Sequence, residues 1–295
     1  MIIAAGACTL GLAILPRIAA DTPTRSALAR DAARVGFAAC LALIPASCLR
    51  LADQLLAIQA PGDPWRTGFA ALLGSTMWGK GFLLGCAATA TLALGLRAAV
   101  RHPETRWPWW FASLGAVALC VSPALQGHAI GSEEYTTVAV AADIMHVTGG
   151  ALWLGTLSVI GWLGVAIPNA DGATSTRERF IVDARLRLLV PWVPRVALPG
   201  AALLLSSGVL SGLLRLRALD DLWTSEWGRY VFAKAALACV IVGLGAVNWR
   251  NRGPLLDTNE GPAALRRTLI LELALAALVL LITAILVVTT PPGER

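Results

Sequence analysis

The chain has 295 residues, of which 57% are hydrophobic and only 14% charged, with a mean hydropathy of +0.68. A soluble domain carries about 25% charged residues, so composition excludes an ordinary soluble enzyme or binding module and specifies a membrane protein. The net charge of +6 resides mostly in arginines between apolar runs, not in a patch suited to nucleic acid.

A spanning helix needs about 20 mostly apolar residues. Eight runs qualify in chain order: 1–16, 34–58, 76–98, 109–127, 137–167, 189–214, 229–249 and 265–290. The first is short. It lacks a basic segment ahead of it and a convincing small-residue cleavage site, so it reads as a retained span, not a signal peptide. The fifth and last are long enough to tilt or project into the interface. The fold class expected is an all-α polytopic membrane protein with eight transmembrane helices.

The connections 17–34, 97–106, 177–195 and 250–267 hold sixteen of the 24 Lys and Arg residues. The connection 128–136 holds none and carries Glu133 and Glu134. The positive-inside rule places the arginine-rich set in the cytoplasm. Both termini then lie outside.

A weak internal repeat runs through the chain. "AAGACTLGLAIL" (4–15) resembles "TGGALWLGTLSV" (148–159), "RVGFAACLALIPASCL" (34–49) resembles "RVALPGAALLLSSGVL" (195–210), and "MWGKGF" (77–82) resembles "EWGRYV" (226–231). The order is kept, which divides one membrane domain into an N-terminal half, 1–136, and a C-terminal half, 137–295. Four spans return the chain to its starting side, so the halves are expected to be parallel repeats about an axis along the membrane normal.

Ionisable groups inside lipid cost of order 2.5–3.5 kcal/mol on insertion scales and default to functional hypotheses. The candidates are His128, closing span 4, Asp143 and His146 in span 5, Lys234 in span 7 and Glu272 in span 8. Asn248 ends span 7 near Glu272, close enough in depth for a mutual hydrogen bond. At 1.5 Å per residue His146 lies roughly 13 Å below the outer face. Asp143 shares its helix face and can orient its ring, as carboxylates do for metal-ligating histidines. His128 sits above, in the same outer vestibule, and Met145 offers a thioether from another helix face. Trp153 lies two turns below His146, and Gly149 and Gly150 permit a close helix contact. The bland alternative is a core histidine satisfied by Asp143, a polar pair that pins two helices.

Two histidines and a thioether suit copper, and imidazole also suits zinc, nickel or iron. The six cysteines form no CxxC pattern, and they read as small apolar residues. Cys48 and Cys120 are nevertheless open as Cu(I) ligands. His102 reads as a plain loop residue, and the tryptophans near span ends read as an aromatic belt. Axial ligation of haem b by the two histidines, in a quinol-linked electron-transfer protein, is the competing class. No Walker motif occurs, so direct use of ATP is not expected, and no catalytic residue is assigned.

Four segments carry a family resemblance: "GHA" (127–129), "HVTGGALWLGTLSVIGWL" (146–163), "WGRYVFAKAALACVIVGLGAVNWRNRGP" (227–254) and "RRTLILELALAALVLLITAILVVTTPP" (266–292). Together they resemble the copper resistance protein D (CopD) family of bacterial inner-membrane proteins, most strongly over 120–292. The resemblance implies copper movement across the inner membrane in copper homeostasis and resistance, with a periplasmic copper-binding partner of the CopC type. It carries over to His128, His146, Trp153, Lys234, Asn248 and Glu272, without establishing ligation. A non-transporting scaffold that delivers copper to such a partner is a further reading.

Overall fold

The computed structural model describes residues 1–59, 64–127, 136–164, 176–252, 261–289 and 292. Among these residues the regular elements are all helical. In chain order they are α1 (Ile2–Arg17), α2 (Thr22–Ile58), α3 (Trp65–Ser75), α4 (Met77–Arg101), α5 (Trp107–Gln126) and α6 (Thr136–Leu163). There follow α7 (Thr176–Leu189), α8 (Val193–Leu213), α9 (Asp221–Thr224), α10 (Glu226–Val247) and α11 (Gly261–Val288).

Among the described residues seven helical stretches are long and apolar enough to cross a bilayer: α2, α4, α5, α6, the stretch Phe180–Leu213 that includes α8, α10 and α11. The chain is an all-α polytopic membrane protein. Of the eight expected spans, α1 is the one that falls short. At 1.5 Å per residue it covers roughly 24 Å, against a hydrocarbon core of about 30 Å. It loosens into a π turn at Leu10–Ile14 and closes as a 3-10 turn at Leu15–Arg17, where Pro16 sits.

Two other elements depart from the expected spans for local reasons. The carboxylate of Asp21 accepts a hydrogen bond from Thr24 N at 3.3 Å, and Pro23 follows in the first turn. That cap starts α2 twelve residues before the apolar run, which makes a 37-residue helix. Helix α7 occupies a stretch expected to be a connection. Its sequence from Thr176 to Leu189 lacks Gly and Pro, and Val182, Leu186 and Leu189 recur at helical spacing and are buried. This amphipathic strap is tied down at both sides. Arg185 pairs with Asp31 of α2 at 2.7 Å, and Arg266 of α11 pairs with Asp183. The end of the bundle that carries these arginines is the basic face, and the end where α8 stops and α10 starts is the opposite face.

In lipid no hydrophobic force drives helices together, and close packing of small residues does that work instead. The tightest crossing joins α1 to α6. A Cβ on Gly6 would overlap the Gly155 carbonyl, and one on Gly155 would overlap the Ile2 carbonyl. A π turn of α6, Ala151–Gly155, lies at this crossing. Beyond it α6 serves two cores. Val159, Ile160 and Leu163 pack with α1, α2, α4, α5 and α7. Trp153, Leu154 and Leu157 pack with Ala197 and Ala201 of α8, Ile241 of α10 and Leu269 of α11.

Helices α4 and α10 start alike. Thr76 Oγ1 accepts from Gly79 N at 2.9 Å and donates to Leu72 O at 2.6 Å. Ser225 Oγ accepts from Gly228 N at 2.9 Å and donates to Asp221 O at 2.6 Å. The resembling segments "MWGKGF" and "EWGRYV" follow these caps.

Candidate functional site

Near the opposite face a polar cluster forms between α6, α8 and α10. His146 points from α6 at α8, and its Nδ1 lies 3.0 Å from the Leu204 carbonyl oxygen. A carbonyl oxygen only accepts, so Nδ1 carries the proton and Nε2 keeps its lone pair. Ser207 Oγ stands 3.4 Å from the same nitrogen and donates to Leu203 O and Leu204 O. Gly208 makes room for the ring: a Cβ there would sit 3.1 Å from His146 Cε1. The crossing that holds α6 against α8 lies one turn further along. A Cβ on Gly149 would sit 2.5 Å from Leu204 N, and one on Gly200 would sit 2.9 Å from Trp153 N.

Asp143 does not orient His146, contrary to the sequence expectation. Its Oδ1 accepts from Ser211 Oγ at 3.3 Å and its Oδ2 pairs with Arg215 at 3.4 Å. The Ser211 hydroxyl of α8 and the Arg215 guanidinium just past its end outcompete an imidazole that already has a carbonyl acceptor. The orienting role therefore belongs to the Leu204 carbonyl. Lys234 of α10 completes the cluster, within electrostatic reach of His146, Asp143 and Arg215.

Met145 is 40% exposed. Successive residues are about 100° apart around a helix, so with His146 turned to α8 the thioether faces the periphery of α6. As a companion ligand to His146 it is corrected to a surface residue. His128 lies outside the described residues. Among the described residues no group of three or more His, Cys, Asp and Glu side chains comes together in a metal-binding arrangement. Cys120 is buried and Cys48 exposed.

Toward the basic face a second element of the site opens. Trp153, Asn248 and Glu272 line one cavity of about 100 Å³, walled by apolar residues that include Leu157, Ala201 and Leu269. Glu272 is 4% exposed and Asn248 7% exposed. Asn248 Nδ2 donates to Glu272 Oε1, the pairing anticipated from their matching depth. Asn248 opens the π turn Asn248–Arg252 at the end of α10, which ends the regular hydrogen-bond ladder where the polar pair sits. Trp153 is 5% exposed. It sits in the π turn of α6, Ala151–Gly155, two turns along the helix from His146.

Sequence reasoning missed Ser207, Ser211 and Arg215. Ser207 and Ser211 lie on α8 and Arg215 just past its end, at successive intervals of four that make a polar stripe. That spacing was the available signal, and neither serine is costly enough in lipid to draw attention alone.

Residues 189–286 match the family model of copper resistance protein D. The match holds α8, α9, α10 and most of α11, with Lys234, Asn248 and Glu272, and leaves His146 and Trp153 outside. The curated copper transport protein CutJ of Bacillus subtilis (strain 168) is 26% identical over 224 residues, covering 75% of this chain. The chain spans 38% of the length of that relative. No solved structure matches the chain. Over residues 189–286 the chain is therefore similar to the copper resistance protein D family.

Proposed function

We propose that the protein carries copper across a bacterial inner membrane, from the periplasm inward, as part of copper homeostasis and resistance. The observation that carries this reading is the orientation of His146. Its Nδ1–H is held by the Leu204 carbonyl, which leaves the Nε2 lone pair for a metal, with no hydrogen-bond partner for it among the described residues. A backbone carbonyl behind a ligating imidazole fixes ring orientation and raises ligand basicity. The family match and the name of the B. subtilis relative support copper over zinc, nickel or iron as the cargo.

In this account the arginine-rich basic face is cytoplasmic, and the His146 cluster opens toward the periplasm. His128 supplies the outer ligand and a CopC-type protein delivers the ion. Lys234 and Arg215 place positive charge near His146, which moderates its hold on a bound copper ion and favours onward movement. The ion then passes Trp153 to the cavity with Asn248 and Glu272. The shared capping geometry at Thr76 and Ser225 supports two parallel four-helix repeats, 1–136 and 137–295. Copper accumulation in proteoliposomes that hold the purified chain tests the reading. Uptake above protein-free vesicles, reduced at least tenfold in His146→Ala, is expected. Equal uptake in wild type and in both His128→Ala and His146→Ala contradicts the histidine route. A strong Soret band in the purified protein instead points to haem.

A further inference from the structure

We propose that Glu272 is a proton-exchange site, at which a proton on the carboxyl and the transported cation replace one another. This inference rests on the copper-transport reading. It adds a counter-ion that balances the charge of the entering cation.

The argument is geometric. Glu272 lies deep in the bundle and faces a cavity of about 100 Å³ between α6, α8, α10 and α11. Its hydrogen-bond partner is the Asn248 amide, a neutral donor. Gly245 backs the second oxygen, with an ideal Cβ 3.8 Å from Oε2, so α10 leaves that side of the carboxyl without a covering side chain. Among the described lining residues Glu272 is the one ionisable group. Trp153, Leu157 and Ile160 face it from α6, Ala197, Leu198 and Ala201 from α8, and Val242, Ala246 and Trp249 from α10 and its π turn. On its own helix Arg266 is committed to Asp183 of α7, and Arg267 lies a turn and a half back along the helix. On the α10 side the nearest arginine in sequence, Arg250, is exposed.

An ionised carboxylate in an apolar cavity needs a positive partner, because one amide donor does not replace its hydration. The site is therefore filled by a positive species: a proton on the carboxyl, or a cation drawn into the cavity. Two hard oxygens and an amide form a poor resting place for copper beside an imidazole, so the metal passes through and the proton returns. The step balances. The O–H bond of Glu272 breaks, its proton leaves toward the periplasmic side, and the carboxylate neutralises the charge of the entering ion. Release of the ion toward the basic face is matched by reprotonation from that face. Buried carboxyls in spanning helices serve as proton relays in other pumps and transporters.

The test uses the full chain in proteoliposomes loaded with a pH-sensitive dye, with copper accumulation and lumenal pH followed together. Wild type is expected to move protons outward as copper enters. Glu272→Gln is expected to lose the proton signal and at least tenfold of the uptake, and Glu272→Asp to recover part of both. Infrared difference spectra of the detergent-purified protein between acid and alkaline pH provide a readout independent of transport. A protonated-carboxyl band present in wild type and absent in Glu272→Gln is expected. Copper uptake without any proton signal overturns the exchange while leaving the copper reading intact. A carboxyl band assigned to Glu272 without copper uptake supports the proton site and removes the copper reading. A band unchanged in Glu272→Gln overturns the proposal.

Discussion

Gly149→Ala places one methyl group in the α6–α8 crossing. The new Cβ would lie 2.5 Å from Leu204 N and 2.7 Å from Gly200 O. Non-bonded carbon contacts settle near 3.5–4.0 Å, so the helices must part by roughly 1 Å. The His146 Nδ1 to Leu204 O distance, 3.0 Å, then opens toward about 4 Å, beyond hydrogen-bonding range. Overpacking of this kind costs about 1–3 kcal/mol, and the lost hydrogen bond adds about 1 kcal/mol. With Nδ1 no longer fixed, metal affinity at Nε2 should fall by about 10–100-fold, as when other supporting partners of ligating histidines are removed. Gly243→Ala is the matched control, because nothing lies within 4 Å of its Cβ position. It should be neutral or stabilising by about 0.5–1 kcal/mol, the usual advantage of Ala over Gly in a helix. Thermal unfolding in detergent and copper titration by calorimetry report the two effects. If Gly149→Ala matches wild type in both measurements, the argument from the crossing to the tautomer is wrong.

Asn248→Ala leaves the Glu272 carboxyl without its amide donor and should destabilise the protein by about 1–3 kcal/mol, the cost of an unsatisfied buried polar group. Differential scanning fluorimetry checks this, and an unchanged midpoint would show that the pair does not form. Arg215→Met removes the partner of Asp143 but not that of His146. Copper affinity at His146 should therefore change much less than in Gly149→Ala, and a comparable loss would return Asp143 to an orienting role. Arg185→Ala cuts the strap α7 from Asp31 of α2. The pair is partly exposed, so the expected loss is about 0–1 kcal/mol, with faster proteolysis of the stretch around residue 185 as the more sensitive readout.

The spanning helices were legible because apolar runs of about 20 residues leave few alternatives in lipid. Helix ends were not. Asp21 and Pro23 start α2 outside the apolar run, and the cost of charge there is low, so hydropathy alone does not register the extension. Helix α7 was hidden for a related reason. Its buried face, Val182, Leu186 and Leu189, is narrower than a spanning run, and its arginines read as a loop. The pairing of Asn248 with Glu272 followed from depth alone, since adjacent antiparallel helices bring their equal depths together. Asp143 was assigned to the wrong partner because spacing on one helix says nothing about what the neighbouring helix offers. Arg215 is 72 residues away in sequence, yet it sits across the α6–α8 contact.

A metal-soaked crystal with anomalous data at the copper edge tests the central claim most directly. The account predicts a peak about 2.0 Å from His146 Nε2, the distance usual for first-row metals on imidazole, and its loss in His146→Ala. A copper peak that lies elsewhere in the wild-type protein and persists in His146→Ala would contradict it.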